Sequence, residues 1–145
     1  MSKVTLCRGL PASGKSTWAK EQVSLSKGKV KRVNKDDLRA MLDKSIFSKD
    51  SERFIGKIQQ TIIWECLEEG FDVIIDDTNL SPKISNAHIS FIESYKKLTG
   101  RYNIHLEVKT FDVPLEECLR RNELREKRIP KEHLIRMYDK YLANK

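Results

Sequence analysis

Apolar residues along the chain fall into four short blocks separated by stretches with helical spacing. Val4-Thr5-Leu6-Cys7, Val30 to Val33, Val73-Ile74-Ile75 and Ile104 to Phe111 predict strands. The third block is continuously hydrophobic, as a strand covered on both faces should be. Between the blocks, Ser16 to Val23 predicts a helix, Ser26 to Lys29 a polar turn, Ala40-Met41-Leu42 a brief helix and Asp43 to Asp50 a loop. Ser51 is a candidate cap for a longer helix through Glu69, in which Ile55, Ile58, Ile62 and Cys66 recur every three or four residues. Gly70 suits its C-terminal stop. Ser81-Pro82 predicts another helix entry, with Ile84, Ala87, Phe91 and Tyr95 as its apolar stripe and Gly100 as its end. Asp112-Val113-Pro114 opens a helix to about Leu124, Arg125 to Arg128 breaks the pattern, and Pro130 starts a last helix with Leu134, Ile135, Tyr138, Tyr141 and Leu142.

Strand and helix thus alternate throughout. That order predicts an α/β fold with a mostly parallel sheet of four to five strands and helices on both faces. Ligands of such sheets collect at the carboxyl ends of the strands. Polar clusters follow three of the four strands there: Gly9 to Thr17, Asp36 to Arg39, and Asp76 to Asn79.

Composition narrows the setting. A chain of 145 residues predicts one domain with a genuine core. No apolar run approaches the roughly 20 residues of a membrane span. Met1-Ser2-Lys3 leads directly into the first strand, so no signal peptide is expected. Cys7, Cys66 and Cys118 lack metal-ligand spacing and read as buried free thiols, which suits a reducing, cytoplasmic compartment. The net charge of +7, from 28 basic and 21 acidic residues, favours a polyanionic partner such as nucleic acid, although a well-charged soluble surface has the same balance.

The chemistry centres on Gly-Leu-Pro-Ala-Ser-Gly-Lys-Ser-Thr, from Gly9 to Thr17, which has the spacing of a phosphate-binding P-loop between a strand and a helix. Gly9 and Gly14 let backbone N–H groups turn inward, and the helix N-terminus adds partial positive charge. Lys15 is expected to reach the β/γ-phosphates of ATP or another NTP, and Ser16 to place its hydroxyl on Mg²⁺. The expected donor-binding residues of this loop are Gly9, Ser13, Gly14, Lys15, Ser16 and Thr17. The predicted class is therefore a P-loop NTPase fold with a basic helical lid.

Asn34-Lys35-Asp36-Asp37 matches the guanine-reading Asn-Lys-x-Asp of GTPases in form, but it follows the second strand instead of a late one, and no Asp-x-x-Gly follows Ile75. An acceptor site fits better. Asp36 can take a proton from an attacking hydroxyl, and Arg39 can fork onto an acceptor phosphate. The plainer alternative makes Asp36 a helix cap and Arg39 solvated surface. Asp76 and Asp77 end a Walker B-like strand; one of them could hold Mg²⁺ through water or orient Arg39. Thr78 and Asn79 could bind acceptor phosphate or belong to an ordinary turn. The basic run Arg120 to Arg128 stands where small P-loop kinases carry a lid.

Together these motifs resemble the kinase domain of the T-even bacteriophage polynucleotide kinase family, which phosphorylates 5′-hydroxyl ends of DNA and RNA. The resemblance spans nearly the whole chain: Gly9 to Ala19, Asn-x-Asp-Asp-x-Arg from Asn34, Asp-Thr-Asn-Leu from Asp77, Phe-Asp-Val-Pro from Phe111, and Arg-Asn-x-x-Arg from Arg121. It implies Asp36 as general base, Arg39 on the acceptor's 3′-phosphate, Asp77 as the second functional aspartate, and Arg125 as the lid arginine. It also implies a nucleic acid partner with a 5′-OH end, with Arg121 and Arg125 of the lid motif on the donor phosphates. Lys35 stands where the family has arginine, and no Asp-x-Asp of the family's phosphatase domain is present. A kinase of a small metabolite or nucleotide would share the donor site without needing Arg39, and a non-catalytic end-binding module would not need Lys15, Asp36 and Arg125 together.

Overall fold

The computed structural model describes residues 1–143. Four parallel strands form one sheet: β1 (Ser2–Arg8), β2 (Val30–Val33), β3 (Asp72–Ile75) and β4 (Ile104–Thr110), in the order β2-β3-β1-β4. β1 pairs with β3 through Val4↔Val73 and with β4 through Val4↔Leu106, while β2 pairs with β3 through Val33↔Ile75. The central strands are the apolar ones. Val4, Leu6, Val73 and Ile75 are buried, whereas edge strand β4 alternates and exposes His105, Val108 and Thr110. This is the burial contrast expected between covered and edge strands.

Six helices connect them: α1 (Lys15–Leu25), α2 (Lys35–Asp43), α3 (Lys49–Glu68), α4 (Pro82–Thr99), α5 (Leu115–Glu123) and α6 (Lys131–Tyr141). The main core joins Val4, Leu6 and Ile75 to Ile55 and Ile63 of α3 and to Ile92 and Tyr95 of α4. A second cluster, Leu10, Leu80, Cys118 and Leu134, fixes α5 and α6 beside the P-loop. Truncating a fully buried member such as Ile55 to Ala costs about 2–5 kcal/mol in proteins generally. Cys7, Cys66 and Cys118 are all free and buried, as expected. No helix among the described residues is long and apolar enough to cross a membrane.

Three local expectations change. The brief helix at Ala40 begins five residues earlier, because Asn34 caps it: the Asn34 side chain accepts the Asp37 N–H at 2.8 Å. α3 likewise begins before Ser51; its cap is Ser48, whose Oγ accepts the Ser51 N–H at 3.1 Å. In α4 the buried face is His88, Ile92 and Tyr95, while Ile84 and Ala87 of the expected stripe are exposed. The sheet has four strands, the lower end of the expected range.

Candidate active site

The carboxyl ends of β1, β2 and β3 open into one cleft of about 940 Å³. Every residue singled out above for the donor or acceptor site lines it except Gly9 and Ser13, which are buried within the P-loop itself. Gly9 is required by close packing: a Cβ there would stand 2.8 Å from Ser13 Oγ and 3.0 Å from the Phe111 carbonyl. Its own N–H donates to the Thr78 carbonyl at 3.0 Å, tying the loop to the end of β3. Gly14 sits at φ 98°, the left-handed conformation that turns the loop into α1.

Lys15 is buried and folded back onto its own loop. Nζ donates to the carbonyls of Gly9 at 2.9 Å and Leu10 at 2.6 Å, and to Ser13 Oγ at 3.3 Å. Burial lowers its pKa to about 8, against the pull of Asp76 and other negative groups. Beside it, Ser16 Oγ donates to Asp76 Oδ2 at 2.8 Å, and Arg32 Nε donates to the same oxygen at 2.6 Å. Asp76 Oδ1 is buried without a hydrogen-bond partner among the described residues. An unpartnered buried carboxylate oxygen beside a P-loop hydroxyl suits a magnesium ion, which takes few protein ligands plus phosphate oxygens.

Asp77 faces the other way. Its Oδ1 accepts the Lys35 N–H at 2.9 Å and its Oδ2 accepts the Gln59 amide at 2.7 Å. Desolvation raises its pKa, and these two hydrogen bonds work against the rise. Of the two carboxylates left open by the sequence, Asp76 is the one that touches Ser16, while Asp77 holds the start of α2. Asn79 is likewise held by the protein itself. Its Nδ2 donates to the carbonyls of Cys7, Ile75 and Asp77, so both of its N–H groups are spent on the backbone. Thr78 keeps its side chain at the cleft while its carbonyl serves Gly9.

On the facing wall, α2 presents Asp36 and Arg39 one turn apart. Because Asn34 is the cap, Asp36 is not, and its side chain is 80% exposed. Arg39 Nη1 donates to Asp36 Oδ1 at 2.6 Å. Glu52 of α3, unforeseen in the sequence, takes Arg39 in a two-pronged pair: Nε and Nη2 donate to Oε2 and Oε1, each at 2.6 Å. That pair pulls the Glu52 carboxyl down and pushes the Arg39 guanidinium up. The signal for these contacts was the polar Gln59 on the apolar face of α3, with Glu52 two turns before it.

The lid side comes from α5 and the loop after it. Arg121 Nη1 approaches the Ala12 carbonyl at 3.5 Å while Nε donates to Glu117 at 2.7 Å. Arg125 is exposed and lines the cleft. Buried Asn122 staples the loop between them and α6: its amide donates to the Ile129 carbonyl at 2.6 Å and accepts the Ile129 N–H at 3.0 Å. Ile129, His133 and Met137 complete that wall.

A P-loop facing a carboxylate and an arginine across one cleft, at the carboxyl ends of a four-stranded parallel sheet, is the architecture of the small P-loop kinase fold. The family model described as "AAA domain" matches residues 4–143, and the chain belongs to that family. It is similar to the L-seryl-tRNA(Sec) kinase of Methanococcus maripaludis, 32% identical over 139 residues that make up 92% of this chain and 50% of that protein. The chain thus spans about half the length of that curated relative. Among solved structures it is similar to one from the Pnkp1/Rnl/Hen1 RNA repair complex, at 28% identity and a TM-score of 0.80, covering 97% of this chain and 44% of the other. The Mycobacterium tuberculosis APS kinase CysC, solved with AMPPNP and APS, shares the fold at 23% identity and a TM-score of 0.59, over 83% of this chain and 68% of that one.

Proposed function

We propose that the chain is an ATP-dependent polynucleotide 5′-hydroxyl kinase acting on DNA or RNA ends. The observation that carries this reading is Asp36 hydrogen-bonded to Arg39 at 2.6 Å inside the cleft that the P-loop closes. A base and an anion-binding fork side by side suit an acceptor that carries its own phosphate next to the reacting hydroxyl. Similarity to an RNA repair complex component supports a nucleic acid acceptor over a free metabolite.

In this reading Lys15 exchanges the Gly9 and Leu10 carbonyls for donor β/γ-phosphates. Ser16 and Asp76 would hold Mg²⁺, which when bound neutralises phosphate charge. Arg39 keeps two of its five N–H groups free of Glu52 and Asp36, enough to fork onto the acceptor's 3′-phosphate. Asp36 takes the proton of the 5′-hydroxyl as its oxygen bonds to the γ-phosphorus, and the bond to the β-phosphate oxygen breaks to release ADP. Arg125, with Arg121, meets the charge on the transferring group.

Similarity to the seryl-tRNA kinase favours a second reading, in which the hydroxyl belongs to a seryl group carried on tRNA. Labelled ATP offered to matched 5′-OH DNA, 5′-OH RNA, seryl-tRNA and free nucleosides separates the two. The proposal expects label on oligonucleotide 5′ ends. Label confined to seryl-tRNA, or to free nucleosides, overturns it.

A further inference from the structure

A row of basic side chains leaves the cleft along the outer flank of α3. Lys49, Arg53 and Lys57 recur every fourth residue and are all exposed. That spacing stacks them on one side of the helix about 6 Å apart, close to the separation of neighbouring phosphates in an extended strand. Among the described residues none of the three is paired with a carboxylate. The next turns of the same flank bring Gln60, Thr61 and Trp64. With Lys57, and with Phe91 from α4, they line a second groove of about 410 Å³. Trp64 is braced edge-on by Phe91, with ring centroids 6.2 Å apart, and by Tyr95 at 4.7 Å. At the upper end, Lys35 and Glu52 of α3 both line the catalytic cleft, so the first turn of α3 opens onto it.

Single-stranded nucleic acid is bound by this combination of a cationic track for the backbone and aromatic surfaces for the bases. A row of unpaired cations ending in an aromatic groove with an amide and a hydroxyl matches a polyanion with planar bases. We infer that the α3–α4 face carries the continuation of a single-stranded acceptor, 3′ of the nucleotide in the cleft. Its phosphates lie on Lys49, Arg53 and Lys57, and one base enters the Trp64–Phe91 groove. This deepens the polynucleotide kinase reading and rests on it.

The test is the triple variant Lys49→Gln, Arg53→Gln, Lys57→Gln, whose sites are exposed, so the melting temperature should hold. Fluorescence anisotropy with a labelled short single-stranded oligonucleotide should show affinity falling at least tenfold. The slope of log affinity against log salt should become shallower by about two, the share of three phosphate contacts on a single strand. In turnover the loss should appear in KM for the oligonucleotide and be absent for a nucleoside 3′-monophosphate. In a Trp18→Phe background Trp64 is the sole tryptophan of the two in the chain, and its emission should be quenched by the oligonucleotide and unmoved by heparin. Unchanged affinity in the triple variant, equal losses on the monophosphate, or equal quenching by heparin overturns the inference. So does a concentration-dependent dimer that the triple variant abolishes, because the face would then belong to a second copy. Failure of the kinase reading shows separately, as no labelled product from any wild-type acceptor, and the anisotropy and quenching arms still decide the surface.

Discussion

On the P-loop wall of the cleft, Lys15 is buried and bonded wholly to its own loop. On the opposite wall, Asp36 is largely exposed and Arg39 is held by Glu52, which lies 13 residues further along the chain. In the proposed reading the P-loop wall takes the donor and is one contiguous segment between β1 and α1, and the opposite wall takes the acceptor. The acceptor wall is assembled from α2, α3 and the end of β3, through Arg39–Glu52, Asp77–Gln59 and Asp77–Lys35. A wall made by one loop can stay the same while acceptors change. A wall made from three elements can be altered piece by piece.

The largest effects are expected at the P-loop wall and at the lid arginine beside it, and should be indifferent to the acceptor. Lys15→Ala and Arg125→Gln should each slow transfer by about a thousand-fold or more, the scale of a charge-stabilising group aimed at a transferring phosphoryl. Steady-state turnover on several acceptors measures this. A loss confined to one acceptor would move Arg125 to the other wall. Asp36→Asn should keep its shape and cost about a hundred- to ten-thousand-fold in kcat, with ATP affinity unchanged. If turnover drops less than tenfold, the proton goes elsewhere.

Glu52→Gln is expected to act more mildly. It removes the negative charge that grips the Arg39 fork and leaves the guanidinium free to swing toward Asp36, so KM for phosphate-bearing acceptors should rise by about tenfold while nucleoside turnover hardly moves. That is the scale of weakening one charge-assisted pair. Equal losses on nucleosides and their 3′-monophosphates would show that Glu52 supports the fold instead.

The smallest effect is a pH dependence of the donor wall. With Lys15 lowered to about 8, its ammonium is present below that pH and is lost as pH rises through it. Phosphate favours the ammonium, so ATP affinity should be flat below pH 8 and weaken above it, approaching tenfold per pH unit. The same shift makes the free protein bind fewer protons than the unfolded chain between pH 8 and 10.5, so folding stability should rise with pH across that window. Calorimetric titration of ATP from pH 7 to 9 checks the affinity, and Lys15→Arg should remove the dependence because arginine stays charged. A flat wild-type profile would mean that Lys15 already holds its proton in the free loop.

Legibility in the sequence followed the same division. The strands were readable because the sheet's centre is apolar and its edge alternates: Val30–Val33 matches β2 residue for residue, and Val73–Ile75 falls inside β3. The P-loop was readable because its backbone geometry is encoded in Gly9 and Gly14 at the spacing the motif requires. The start of α2 was hidden because Lys35-Asp36-Asp37 carries no apolar period, although Asn34 with an acidic residue three positions later is itself a capping signal. The face of α4 was misread because the site inverts the usual rule. Ile84 is exposed at the cleft and His88 is buried, its pKa lowered to about 4 by desolvation. Asp76 and Asp77 could not be told apart, since adjacent residues leaving a strand point to opposite sides and only the fold says which side holds Ser16. Glu52 was missed because its partner lies on another helix.

The two-walled account is tested most directly by kcat/KM for Arg39→Gln and Arg125→Gln, each against a nucleoside, its 3′-monophosphate and a short oligonucleotide. The account predicts that Arg125→Gln lowers all three by a similar factor, while Arg39→Gln penalises the 3′-monophosphate and the oligonucleotide and spares the nucleoside. Equal losses on all three acceptors for Arg39→Gln, together with a selective loss for Arg125→Gln, would contradict it.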